Sequence, residues 1–237
     1  MVSNLSVFYV ILGMIFSMFV PAALAIFMIK RYKASWKAFF VGAAVFVISQ
    51  PLLRLQILRY LNTTTWFTLF STTNMAAYSI ILGITAGLFE EIGRYIGFKF
   101  FLKDKLQWKN GIVFGLGHGG IEALIFVGLG YYLTLLLNRG LITAAPNLYL
   151  AGTLERIMAI ICHIAMTLLV LYAVKYRRKI YLFYAILFHS LIDSPLGIFK
   201  MAGLSTWQIE GYIFILTLAA LFIIIKLKNK IDNECII

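Results

Sequence analysis

Glu90, Glu91 and Arg94 interrupt a run of residues otherwise apolar enough to cross a bilayer. A charge near the centre of a membrane helix costs roughly 2.5–3.5 kcal/mol on insertion scales, so three together imply strong mutual pairing or a chemical use. His118 and Glu122, His163, and His189 and Asp193 likewise fall inside apolar runs; these are all 3 histidines and, with Glu90 and Glu91, four of the 9 acidic residues. Groups of these types do two kinds of chemistry. A carboxylate in a partly wet apolar cavity can take a proton from water while a histidine holds or passes it. Alternatively, His118, His163 and His189, with Glu122 as ligand or support, match the about three protein ligands that zinc needs beside a water. No His-Glu-x-x-His helix is present, so the usual zinc-protease signal is missing and metal-free glutamate chemistry is the preferred reading.

Spacing narrows the arrangement. Side chains four apart share a helix face, which pairs Glu90 with Arg94, His118 with Glu122, and His189 with Asp193. Adjacent glutamates cannot share one, because they point about 100° apart. One of Glu90 and Glu91 can therefore be held by Arg94 while the other faces a cavity, and spacing leaves open which.

The elements that position these groups must cross a membrane together. With 62% hydrophobic residues, 13% charged residues and a mean hydropathy of +0.93, the 237-residue chain has too little polar surface to fold in water. It reads as all-α, a polytopic transmembrane helical bundle. Seven runs meet the length of about 20 residues for one crossing: 5–29, 36–58, 74–100, 111–137, 153–174, 180–200 and 206–227. The first lacks a basic leader and is too long for a secretory signal core, so it reads as a retained span. Pro21 and Pro51 fall inside the first two, where neighbouring helices can satisfy the freed carbonyls. Residues 60–73 read as an outer loop or shallow interfacial helix, and 138–152 around Pro146 likewise. With no repeat or soluble segment, residues 1–237 read as a single transmembrane domain.

Basic residues set the direction. A net charge of +12 would suggest nucleic acid in a soluble domain, but here the basic residues cluster between apolar runs, the pattern of loops on the cytoplasmic face. Clusters after the first, third, fifth and seventh runs hold fifteen of the 21 Lys and Arg residues, while Arg54, Arg59, Arg139, Arg156 and Lys200 fall to the other side. This places the N-terminus outside and the C-terminus in the cytoplasm. Counting inward from the basic ends at about 1.5 Å per residue, Glu90 and Glu91 lie roughly 14 Å deep, His118 about 10 Å, Glu122 and His163 about 16 Å, His189 about 13 Å and Asp193 about 20 Å. Four spans thus present titratable groups at one level of the membrane.

Other features have plainer readings. Gly83, Gly87, Gly115, Gly117, Gly119 and Gly120 either permit close helix packing or leave room for water or an extended peptide. Glu155 and Arg156, near the outer end of the fifth run, read as a structural ion pair. Cys162 and Cys235, one in a span and one in the tail, imply neither a disulfide framework nor a metal knuckle.

The motifs Glu90-Glu91-x-x-Arg94, Phe114-x-x-x-His118 and His189-x-x-x-Asp193 resemble those of the intramembrane protease superfamily that holds the type II CAAX prenyl endopeptidases and bacteriocin-processing proteins. Within it, His118-Gly-Gly-Ile-Glu122, the Glu155-Arg156 pair, His163 and the overall length resemble most the bacterial YhfC family of intramembrane metalloproteases. The resemblance covers the third to sixth runs, about half the chain. It implies a peptidase acting on a membrane-associated peptide through a cavity open to the cytoplasmic leaflet, in a bacterial plasma membrane. It implies Glu90 and His118 as the pair that activates water, and His189 with Asp193 around the tetrahedral intermediate. Two departures stand out: two residues, where the CAAX enzymes commonly have three, separate Arg94 from the glutamates, and Asp193 stands where asparagine is common. An ionised aspartate cannot donate a hydrogen bond, so Asp193 is expected to orient His189. Two other functions compete: a proton- or ion-coupled transporter, against which no inverted repeat is found, and a non-catalytic membrane scaffold.

Overall fold

The computed structural model describes residues 3–137, 142 and 145–233. Among them, seven helices are long and apolar enough to cross a membrane: Asn4–Tyr32, Trp36–Leu61, Met75–Phe101, Trp108–Leu137, Pro146–Lys175, Ile180–Met201 and Thr206–Asp232. These are the first to seventh spans. The described residues include no strand, and the protein is an all-α, multi-pass membrane protein. In hydrocarbon every backbone N–H and C=O must be bonded within its own segment, which is why each apolar run is a helix.

The expected boundaries hold to within a few residues at six spans, and the fifth differs. It begins at Pro146, within the stretch expected to be a loop, because proline suits the first turn of a helix, where its missing N–H has no intrahelical partner anyway. Glu155 and Arg156 therefore lie well inside this span. The remainder of the expected outer loop, with Arg139, lies outside the described residues except for Ile142, and so does Cys235. Between the second and third spans, Thr65–Thr73 forms a short helix, as one of the two readings of 60–73 had it.

Packing makes the fifth span the axis of the bundle. In its most apolar window 72% of residues are buried, against 11–33% in the other six. Small residues let other backbones meet: a Cβ on Gly117 would lie 2.1 Å from the Phe39 carbonyl oxygen, and one on Gly83 would lie 2.4 Å from the Ser194 nitrogen. These contacts join the fourth span to the second and the third to the sixth. Of the two readings of these glycines, close packing is the one seen at both positions.

The half of the bundle nearest the basic clusters is packed along its axis, with a groove of about 400 Å³ at the side of the sixth and seventh spans, lined by Tyr181, Tyr184, Phe222 and Lys230 among others. Phe98, Leu102, Phe114, Leu116, Leu168, Leu171 and Ile231 form a buried apolar cluster there. Lipid tails are as apolar as leucine, so this cluster stabilises the fold by dispersion and close fit, with little contribution from water exclusion. The opposite half holds a cavity.

Candidate active site

The third span separates its two glutamates by direction. Glu91 and Arg94 are completely buried. One guanidinium nitrogen of Arg94 pairs with Glu91 Oε1, and the same oxygen lies 2.8 Å from His189 Nδ1. Glu90 turns the other way and lines the cavity. Its Oε2 lies 2.9 Å from His118 Nε2 and 3.4 Å from Arg94 Nη2, while its Oε1 accepts a hydrogen bond from Gln50 Nε2 at 2.5 Å. His189 Nε2 lies 3.8 Å from Glu90 Oε1 and 3.4 Å from Asp193 Oδ2. Groups from four spans expected at one depth are thus in contact, and a fifth, the second span, joins them.

Arg94 fixes a proton on His163. A guanidinium can only donate, and Arg94 Nη2 lies 2.7 Å from His163 Nδ1, so Nδ1 is the acceptor. The ring proton is then on Nε2, which lies 2.6 Å from Glu122 Oε2. Glu122 Oε1 in turn lies 3.4 Å from Arg156 Nη1, and Arg156 also pairs with Glu155. The Glu155-Arg156 pair, read from the sequence as structural and near the outer end, is therefore the far end of a chain of contacts that reaches the level of Glu90 through Glu122 and His163. The longer fifth span accounts for that.

A cavity of about 460 Å³ opens above this network. Glu90, His163 and His189 form its floor, whereas His118, Glu91 and Arg94 stand behind the floor. From there its lining runs to Arg54 and Leu55 on the second span, Phe126 on the fourth, Glu155 and Arg156 on the fifth, Leu196 and Lys200 on the sixth, and Thr206 and Glu210 on the seventh. All of these lie toward the ends opposite the basic clusters. The expectation is an opening at the cytoplasmic leaflet; this cavity runs toward the ends opposite the basic clusters, and the apolar cluster around Phe98 and Phe114 packs on the basic side of its floor.

Gln50 and Glu210 line the cavity without being among the candidates read from the sequence, and Arg54 is counted there only as a basic residue of the outer side. Gln50 holds Glu90, and Arg54, counted among residues on the outer side, is buried within the second span. Arg54 Nη1 donates to Gln50 Oε1 at 3.0 Å, and its other nitrogens donate to Thr85 Oγ1 and the Leu82 carbonyl. The available signal was the four-residue spacing of two polar side chains around Pro51. This segment, Ile48–Arg54, is a wide π-type turn, a local form frequent at functional sites. Glu210, a carboxylate inside the seventh apolar run, carried the same kind of signal.

The donor set can be tested against a metal ion. Ligand atoms of Glu90, His118 and His163 lie within 4.8 Å of one another; His189, expected among the ligands, is not in this set. A neutral histidine that ligates through Nε2 carries its proton on Nδ1 and needs an acceptor for it. Ligation through His163 Nε2 would put a proton on Nδ1 against a guanidinium N–H at 2.7 Å, and ligation through Nδ1, with Nε2–H kept on Glu122, would set the metal where that guanidinium N–H lies. His118 Nδ1 is buried without a partner. Arg94 also already supplies a positive charge to Glu90. As arranged, these residues fit a network held by arginine and do not fit a zinc site.

Comparison with known proteins places the chain. The family model described as YhfC intramembrane metalloprotease matches residues 16–143 and 132–213. A protein of Bacillus subtilis (strain 168), named "Uncharacterized membrane protein YhfC", is 32% identical over 97% of this chain and 98% of its own length. The chain belongs to the YhfC family. No solved structure matches it. The YhfC match spans every site residue named above, from Gln50 to Glu210.

Proposed function

We propose that this YhfC-family protein is an intramembrane endopeptidase of the glutamate type. The observation that carries this reading is Glu90: a carboxylate on a cavity floor, fixed through one oxygen by His118 and through the other by Gln50, with His189 across from it. Glu90 takes a proton from a water as the water oxygen attacks the peptide carbonyl carbon, giving a tetrahedral intermediate with a negative oxygen. His189, protonated on both ring nitrogens among the carboxylates of Glu91, Glu90 and Asp193, donates through Nε2 to that oxygen while Nδ1–H stays on Glu91. Collapse then breaks the C–N bond, and Glu90 returns the proton to the leaving nitrogen. On the orientation read from the basic loops, the cavity admits substrate from the extracytoplasmic side of a bacterial plasma membrane.

The test compares new protein N-termini in membranes from cells that express the wild type, Glu90→Gln or His118→Ala. The wild type generates a set of N-termini that both variants lose, at equal amounts of folded protein. Glu90→Gln lowers cleavage by about two to four orders of magnitude, the usual contribution of a general base. Cleavage by purified wild-type protein persists after chelator treatment, and the protein contains no stoichiometric zinc. Equal cleavage by the wild type and Glu90→Gln overturns the reading, and chelator-sensitive cleavage overturns the glutamate type.

A further inference from the structure

The cavity is acidic in a basic protein. The chain has a net charge of +12, yet five of its 9 acidic residues, Glu90, Glu122, Glu155, Asp193 and Glu210, line this one cavity. Three cations line it with them, and two are already engaged: Arg54 with Gln50, Thr85 and the Leu82 carbonyl, and Arg156 with Glu122 and Glu155. The third, Lys200, is exposed at the outer rim.

Glu210 is the unmatched member. It is 8% exposed, and its Oε2 is buried with no hydrogen-bond partner. A buried carboxylate oxygen without a donor costs free energy, more than a neutral group would, and such a cost is tolerated where a ligand supplies the donor. Glu210 sits on the seventh span at the outer part of the cavity, close enough to Glu155 and Arg156 for their charges to act on it, while its Oε2 bonds to neither. The rest of the lining is largely apolar, including Phe46 and Met166 near the floor and Ile192 and Ile213 further out. At about 460 Å³ the space is of ligand size.

We propose that Glu210, with Glu155 beside Arg156, forms a subsite for a positively charged group of the substrate, an ammonium or guanidinium carried on an otherwise apolar segment and bound outward of the scissile bond. The inference deepens the peptidase reading, since it takes the cavity's occupant to be the substrate of Glu90. An arginine or lysine side chain can satisfy Oε2 directly, and the charged hydrogen bond strengthens away from water. Apolar walls accept the rest of the segment.

The experiment uses the full-length protein in detergent with synthetic apolar peptides of about 20 residues, N-acetylated, that carry a single Lys, Gln or Glu scanned along the sequence. Mass spectrometry locates the cut, and anisotropy of labelled peptides measures binding to the Glu90→Gln variant. At one register, the Lys peptide is cleaved and bound about tenfold better than its Gln counterpart, the ratio expected for one charged hydrogen bond. Glu210→Gln brings that ratio near one, and Glu210→Lys shifts preference to the Glu peptide. A gain on leaving the N-terminus of the Gln peptide free assigns the subsite to a terminal amine. Equal handling of Lys and Gln peptides in every form, or a Lys preference that survives Glu210→Gln, overturns the subsite. The two readings separate cleanly. Cleavage without charge preference removes the subsite and leaves the peptidase; Glu210-dependent binding of the Lys peptide without any cleavage removes the peptidase and leaves the subsite; neither cleavage nor charge-dependent binding removes both.

Discussion

Glu90 and Glu91 are the same residue at adjacent positions, and their surroundings assign them different work. Glu91 is enclosed between Arg94 and His189, out of reach of any substrate, while Glu90 keeps one side toward the cavity. Arg94 is central because it touches Glu90, Glu91 and His163 at once. Its replacement by leucine leaves two carboxylates buried without their counter-charge, and we expect a loss of about 3–5 kcal/mol in stability, read as a lowered melting temperature in detergent. Gln50→Ala acts differently. It removes the donor to Glu90 Oε1 and the acceptor of Arg54 Nη1 but leaves Arg94 in place, so cleavage falls about tenfold while the melting temperature falls by less than in Arg94→Leu.

At the scale of helices, the site depends on how closely backbones approach. The second and fourth spans touch at Gly117, and this contact holds Gln50 and His118 on either side of Glu90. A leucine at position 117 meets the Phe39 carbonyl, a backbone atom that cannot swing aside. Gly117→Leu is therefore expected to give aggregated or unfolded protein on size exclusion. Gly130→Leu serves as the control, because a Cβ there meets nothing within 4 Å. The wide turn at Ile48–Arg54 works at the same scale: Pro51 removes one backbone donor, and the loosened turn carries Gln50 and Arg54 on its inner face.

For the molecule as a whole, the proposed function ties the side from which substrate would enter to the end at which the site cavity opens. The apolar cluster from Phe98 to Ile231 packs between the site and the basic loops, and the lining of the site cavity climbs to Lys200 and Thr206 at the other end. With Cys162 and Cys235 replaced by serine, a cysteine at Ile209 is expected to react with a membrane-impermeant thiol reagent added outside intact cells. Reaction only from inverted membranes would reverse the direction of access.

Apolar run length and the clustering of basic residues were enough to lay out seven spans, because a bilayer demands a fixed length of hydrocarbon-compatible helix and gives little freedom in ordering it. Depth counting likewise brought Glu90, Glu91, His118, Glu122, His163, His189 and Asp193 to one level, since rise per residue in a helix is constant. Rotation of each helix about its axis, and the neighbour it meets, were outside that reach. Which glutamate faces the cavity, the entry of Gln50 and Arg54 from the second span, the tie from Glu155 to His163 and the end at which the cavity opens all depend on interhelical packing. Those outcomes belong to the tertiary structure, because a side chain's partner across a helix interface is set by distances between segments far apart in the chain.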